Sequence, residues 1–406
     1  MARSATRLRA NPGVLTVIGG LEPALMRIIA GSIMLHGGMA GLRMAAPLAA
    51  LDQGYGAAAV GFLLAMFALS QILLALPAGR YADKHGLRRP AALSAIAISV
   101  GGLLAVALPV FPVLCVTALL AGAGAGVSSI ALQRHVGRAA QGSAQLRQAF
   151  SWFSIGPAIS NFVGPFLAGL VIDHAGFRAA FLVMAILPLL SWFWLRKTQE
   201  LAPIFKPGQR AGGGAWELLK ERSFRRLLII NWVVASCWDI HSFVVPLIGH
   251  ERGFSASVIG AILGAFAVAA AMVRVVLPIV AAHVQEWGVL AISTVVTAIL
   301  FAIYPLLDSP LAMGLASVGL GMVLGTGQPM IMSMLHQITP HERHGQAVAV
   351  RMITIHASGV LMPMLFGLAG AYIGISGVFW CTAGIVAAAT RVPFLLRSAT
   401  RADKTS

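Results

Sequence analysis

An isolated carboxylate in an apolar run is the first feature of this chain that could do chemistry. The 406 residues include 13 acidic side chains against 29 Lys and Arg. Twelve of the 13 acids fall in loops, tails or helix ends, and the exception is Asp239, in INWVVASCWDIHSFVVPLIG. A charge near the centre of a bilayer costs at least ~2.5 to 3.5 kcal/mol, so one that persists there is paired or functional. His241 follows two residues on, roughly 200 degrees round a helix, and so faces a different neighbour. In IMLHGGMAGLRMAA, His36 and Arg43 are seven residues apart, two turns along one face. An acid that meets a guanidinium can hold a fixed ion pair or take up and release a proton. Both readings stand, and the one taken here is that Asp239 is protonatable.

Other polar groups interrupt apolar runs less sharply. Gln328, followed by Pro329, lies midway along one run and suits a hydrogen bond to a bound molecule or to a neighbouring helix. Arg351 and His356 share another run, and Arg274 ends a third. Arg351 suits an anionic group or a snorkelling anchor. Gln71, Trp238 and Asn161 suit either cavity contacts or helix packing. The cysteines Cys115, Cys237 and Cys381 are too dispersed for a metal cluster or a disulfide framework and read as packing residues. No metal or cofactor is expected.

These residues need elements to position them, and composition says which. The chain is 58% hydrophobic and 10% charged, with a mean hydropathy of +0.85. A soluble domain carries about 25% charged residues. At roughly 20 residues per span there is material for about a dozen membrane helices and no separate soluble domain. Apolar runs centre near Leu35, Ala68, Val100, Ala123, Gly164 and Leu187, then near Ala235, Phe266, Thr294, Leu324, Gly359 and Val386. The fold class is therefore all-α integral membrane, with 12 transmembrane helices. The expected divisions are 1–195 and 227–406, six helices each, joined by a polar linker over 196–226.

Basic residues mark one side: Arg3, Arg7 and Arg9; Arg80, Lys84, Arg88 and Arg89; Arg134, Arg138 and Arg147; eight in the linker stretch; Arg343; and Arg397, Arg401 and Lys404. The opposite loops offer Arg178 and Arg252. By the positive-inside rule both termini are cytoplasmic. The net charge of +16 reflects missing acids and is spread over separate loops, which argues against nucleic acid as a partner; the linker can meet anionic lipid. The first run, from about 24 to 48, is long enough to span and is read as a transmembrane helix, not a signal peptide.

The stretch QAFSWFSIGPAISNFVGPFLAG from Gln148 aligns without gaps to QAVAVRMITIHASGVLMPMLFG from Gln346, an offset of 198 that matches at 148/346, 149/347, 160/358, 165/363, 167/365 and 169/367. Two parallel six-helix pseudo-repeats follow, related by an axis along the membrane normal, with a path between them. The same offset places Arg43 opposite position 241, in the stretch that runs on to Phe243, and so at a depth similar to Asp239 and His241.

After the second run comes GRYADKHGLRRP, 79–90. It resembles the signature loop of the major facilitator superfamily: Gly79, Ala82, Asp83, Gly86 and Arg88 fit, Lys84 keeps the basic character, and Tyr81 and Leu87 depart. The resemblance implies that helices one and seven line the cavity. It also implies a gating role for this loop, carried to Asp83 first and then to Gly79, Arg80, Lys84, Gly86 and Arg88. In the fifth run GPFLAG, with Gly164, Pro165 and Gly169, is similar to the antiporter element of the same superfamily, with Ala168 replacing a glycine. Two features of the drug-efflux branch are missing: no basic residue lies between Pro112 and Gln133, and no acid between Glu22 and Asp52.

The resemblance implies a transporter and not an enzyme, and no Gly-x-x-x-x-Gly-Lys-Ser/Thr loop is present to bind nucleotide. The expected function is proton-coupled export of a small organic compound, such as a drug, metabolite or siderophore-like product. It would proceed by alternating access, as a monomer in a bacterial inner membrane. Uptake of an organic anion is the alternative, suggested by Arg43 and Arg351 against one acid. A transporter-like sensor that moves nothing is a third reading.

Overall fold

Backbone groups in hydrocarbon have no water to bond, so an apolar chain satisfies them inside helices. The computed structural model describes residues 23–139, 153, 155–201, 215–280, 285–339 and 344–402, with a few of their side chains, including that of Asp83, outside the description. Among these residues ten helices are long and apolar enough to cross a membrane. Two of them are about twice the needed length: Ile155–Leu195 has 41 residues and His344–Ala389 has 46, where a crossing takes about 20. Each is broken at one glycine, Gly176 (φ 78°, ψ 176°) and Gly374 (φ 73°, ψ 165°), a backbone region open essentially to glycine alone.

Divided at those corners, the described residues hold twelve segments in the spanning region. They are α1 Pro23–Asp52, α2 Ala57–His85, α3 Arg88–Ala107, α4 Phe111–Ala139, α5 (155–175), α6 (177–195), α7 Arg222–Glu251, α8 Ala256–Val280, α9 Glu286–Ile303, α10 Pro310–Ile338, α11 (344–373) and α12 (375–389). A further helix, α13 Arg391–Ala402, follows. A 3-10 turn, Ala215–Lys220, precedes α7. The two corners are 198 residues apart (374 − 176), the offset of the sequence repeat.

Packing repeats at nearly the same offset. Gly122 of α4 sits against the Phe67 carbonyl of α2, and Gly321 of α10 against the Phe266 carbonyl of α8. Absent side chains let these helices touch backbone to backbone, which is how helices associate where lipid removes the hydrophobic drive. In α1, Gly31, Gly38 and Gly41 receive Leu195, Pro188 and Met184 of α6. Ser160 of α5 donates to the Ile33 carbonyl at 3.1 Å. Large apolar side chains such as Leu311 and Val275 point outward, 73% and 65% exposed, while Asn231, Thr117 and Ser160 are buried. That arrangement suits lipid outside and polar contacts within.

The α2–α3 loop, with Arg80, Lys84, Arg88 and Arg89, defines a basic face; the Gly176 and Gly374 corners lie on the far face. Between the two sets of six segments the main contacts are α2 with α11 and α5 with α8. Both seams run from the far face inward. Gly169 meets the Ala256 carbonyl and Gly260 the Pro165 carbonyl; Gly367 meets the Ala57 carbonyl and Gly61 the Pro363 carbonyl.

Candidate functional site

The glycine face of α1 presses that helix against α5 and α6, which leaves the face bearing His36 and Arg43 turned toward the other half. Arg43 reaches α7, where its Nη2 stands 3.8 Å from Asp239 Oδ1. The other carboxylate oxygen, Oδ2, accepts a hydrogen bond from Ser358 Oγ of α11 at 2.9 Å, and Ser358 lies 3.2 Å from Ser236 Oγ. At 3.8 Å the two charges attract without the short hydrogen bond of a formed pair, which would be nearer 2.7 to 2.9 Å. The Arg43 side chain is 35% exposed and Asp239 13%. Arg43 Nε is buried with no protein acceptor. The cluster thus joins α1 of one half to α7 and α11 of the other through a link that separates easily.

Beside it lies a cavity of about 210 Å³ between the halves. His36 and Arg43 of α1, Gln71 of α2 and Asn161 of α5 line one side, and Trp238 of α7 and Phe266 of α8 the other. Trp238 packs edge-on to Phe266 with centroids 4.5 Å apart. Arg274 of α8 lies 5.6 Å from the Trp238 ring and 3.4 Å, Nε to oxygen, from the Gly325 carbonyl. The walls offer one guanidinium, amides and aromatic faces around a small-molecule-sized space, a mixed lining of the kind ligand pockets use.

Other polar residues picked from the sequence lie elsewhere. His241 is fully buried behind the cavity wall, its Nε2 2.9 Å from Ser317 Oγ, which also meets Tyr304 Oη at 2.9 Å. Its ring stacks on Phe266 at 4.1 Å. Arg351 is buried at a second α7–α11 contact: its Nε donates to Asn231 Oδ1 at 3.0 Å, and Asn231 Nδ2 donates to Thr354 Oγ1 at 2.9 Å. Gln328 is half-buried on α10 and is not among the residues lining the cavity. The structure therefore brings His36, Arg43, Gln71, Asn161, Trp238 and Asp239 together and sets His241, Arg351 and Gln328 apart.

On the basic face, Gly86 ends α2 with φ 73° and ψ −143°. The backbone N–H groups of Leu87 and Arg88, opening α3, both donate to the Glu200 carboxylate that follows α6, the first at 2.9 Å. Arg88 Nη2 donates to the Thr198 carbonyl at 2.9 Å. A Cβ on Gly86 would collide with Glu200. Gly86 and Arg88 thus tie the loop to the end of α6, whereas Arg80 and Lys84 are exposed. The Asp83 side chain lies outside the described residues.

On the far face, Gly164 faces the Gly37 carbonyl of α1, while the Pro165 carbonyl and Gly169 form the α5 side of the α5–α8 seam. Pro363 and Gly367 do the same in the α2–α11 seam.

Ser358, Ser236, Asn231 and Glu200 escaped the sequence reading. Only Ser358 left a trace there, as the 160/358 match of the repeat. Ser160 bonds α5 to α1 as Ser358 bonds α11 to α7, but only the second pair meets a carboxylate.

The sequence profile of the Major Facilitator Superfamily matches residues 28–326 and, overlapping it, 227–406. No curated protein matches the chain in sequence. Among solved structures, a bacterial homologue of the human lysosomal transporter Spinster, inward-facing and occupied, is 14% identical with a TM-score of 0.78, covering 95% of this chain and 99% of its own. A POT family transporter in complex with a thioalcohol-conjugated peptide is 13% identical with a TM-score of 0.76, covering 92% and 96%. The nucleoside transporter NupG is 11% identical with a TM-score of 0.75, covering 92% and 100%. At these identities the likeness is one of fold.

Proposed function

Starting from the fact that the chain belongs to the major facilitator superfamily, and so is a multi-pass membrane transporter and not an enzyme, we propose proton-coupled export of a small organic compound by alternating access. The observation that carries this reading is the Arg43–Asp239 contact beside the cavity, one charge on each half. Protonating Asp239 removes its charge and with it the attraction to Arg43. Ser358, itself in contact with Ser236, remains to hydrogen-bond the neutral carboxyl. The link between the halves then depends on a proton, and 24–195 is free to rock against 227–396 about the cavity.

The positive-inside rule places the basic face in the cytoplasm, with both termini, in a bacterial inner membrane. The closed seams then shut the cavity off from the outside, and the 196–226 segment is the linker between the six-helix halves. Export as the direction rests on the Gly164–Pro165–Gly169 element, in which Gly164 packs on α1 while Pro165 and Gly169 lie in the α5–α8 seam. Proton-coupled uptake of an organic anion is the second reading; it is favoured by Arg43, a cation lining the cavity and only loosely engaged by Asp239.

Counterflow in proteoliposomes with a panel of neutral, cationic and anionic compounds, run with and without a proton gradient, tests both. Export predicts accumulation driven by a gradient of opposite direction to substrate, and uptake predicts the reverse. If Asp239→Asn kept gradient-driven transport and an unchanged pH profile, the coupling role would be wrong.

A further inference from the structure

The two far-face seams are alike in their small-residue packing and differ in one charge. In α5–α8 the Asp173 carboxylate, at the far end of α5, crosses to the other half. Its Oδ1 accepts from the Ala256 N–H and its Oδ2 from the Ser257 N–H, both at 2.8 Å. These are first-turn donors of α8, which have no partner inside their own helix, and an anion there also meets the positive end of the helix dipole. In α2–α11 the position matching Asp173 at the 198-residue offset is Ala371, and Gly56 caps α2 with no side-chain hydrogen bond. Among the described residues, then, only the α5–α8 seam is locked by a carboxylate.

We propose that Asp173 is a positioning residue of the transport cycle, a latch that must release the first turn of α8 whenever the cavity opens to the far face. The proposal rests on alternating access and is independent of substrate and coupling ion. Releasing the latch exposes two backbone donors and a carboxylate together, so its strength weights the balance between far-face-closed and far-face-open states. The Gly169–Ala256 and Gly260–Pro165 contacts beside it are packing contacts and guide the seam without charge.

The test is the reach of a membrane-impermeant maleimide from the far side of oriented vesicles. The reporter is Ser242→Cys, on the cavity wall, in a chain carrying Cys115→Ala, Cys237→Ala and Cys381→Ala. Asp173→Ala is expected to raise the labelling rate roughly fivefold, the factor an N-cap's usual worth implies, and Asp173→Asn by less, since an amide oxygen still accepts. Ala256→Pro removes one of the two donors at a first-turn position where proline is tolerated. It should raise labelling in the same direction and add little on top of Asp173→Ala. Gly260→Val, which wedges the seam, is the control. If it raises labelling while Asp173→Ala, folded and monodisperse, does not, the latch is wrong. If neither moves the rate, alternating access itself is wrong for this chain.

Discussion

Arg43 and Asp239 face each other at 3.8 Å from opposite halves of the molecule, and among the described residues only Asp239 has a second partner, Ser358. The pair is therefore lopsided: the carboxylate stays bonded within its own half when the guanidinium departs.

Asp239→Asn should uncouple transport. Uphill accumulation is expected to fall by roughly tenfold or more, within the range of ordinary coupling energies, while counterflow without a gradient persists. Arg43→Gln should lower thermal stability by roughly 1 kcal/mol, a small effect because Arg43 is partly exposed. Adding Asp239→Asn to it should recover part of that loss. Thermal melts and flux in proteoliposomes read both.

The Asn231–Arg351 contact predicts an asymmetry. Asn231→Leu strands a buried guanidinium and should cost roughly 2 to 4 kcal/mol. Arg351→Met removes the charge and should cost less, and the double substitution should be more stable than Asn231→Leu alone. Melting temperatures of the three variants in detergent check the order.

Gly260→Val places side-chain atoms where a Cβ alone would come within 2.5 Å of the Pro165 carbonyl. The far face should then fail to close, and net transport should drop roughly tenfold or more as the closed state becomes rare, with the helix content unchanged by circular dichroism.

Gly86→Ala meets two obstacles, a φ of 73° and the Glu200 carboxylate. Backbone strain and a displaced cap together should cost roughly 2 kcal/mol. Glu200→Ala alone should cost about 1 kcal/mol. Combined, the two should cost less than their sum, because removing Glu200 also removes the collision. A double-mutant cycle on thermal stability measures the difference.

The spans, their parallel repeat and the family were legible because lipid forces long apolar runs and the signature loop keeps its spacing. Asp239 stood out because an acid is rare inside such a run, and Arg43 because its depth matched. Asp173 and Glu200 did not stand out, since a carboxylate at a helix end looks like any loop residue until the chain brings a distant helix N-terminus to it. Ser358 is a small hydroxyl among many in these helices; only its carboxylate partner sets it apart. His241 illustrates the limit of spacing arguments: a two-residue step turned it away from Asp239, but only the packing of α8 and α10 shows that it meets Ser317 and Phe266. The 196–226 stretch was legible as a polar break, and residues 202–214 within it lie outside the described part of the chain.

The Gly176 corner has a mechanical consequence. With one residue between them, α5 and α6 form a stiff bracket, and that bracket grips α1 at several points: Gly164 on Gly37, Pro188 on Gly38, Leu195 on Gly31. A tilt that draws α5 off α8 drags α1 along like the handle of a lever, and Arg43 rides on α1. In the proposed cycle, parting the far seam and pulling the guanidinium from Asp239 would be one stroke, so a proton arriving at the carboxylate and the unlatching of Asp173 would act on the same rigid arm.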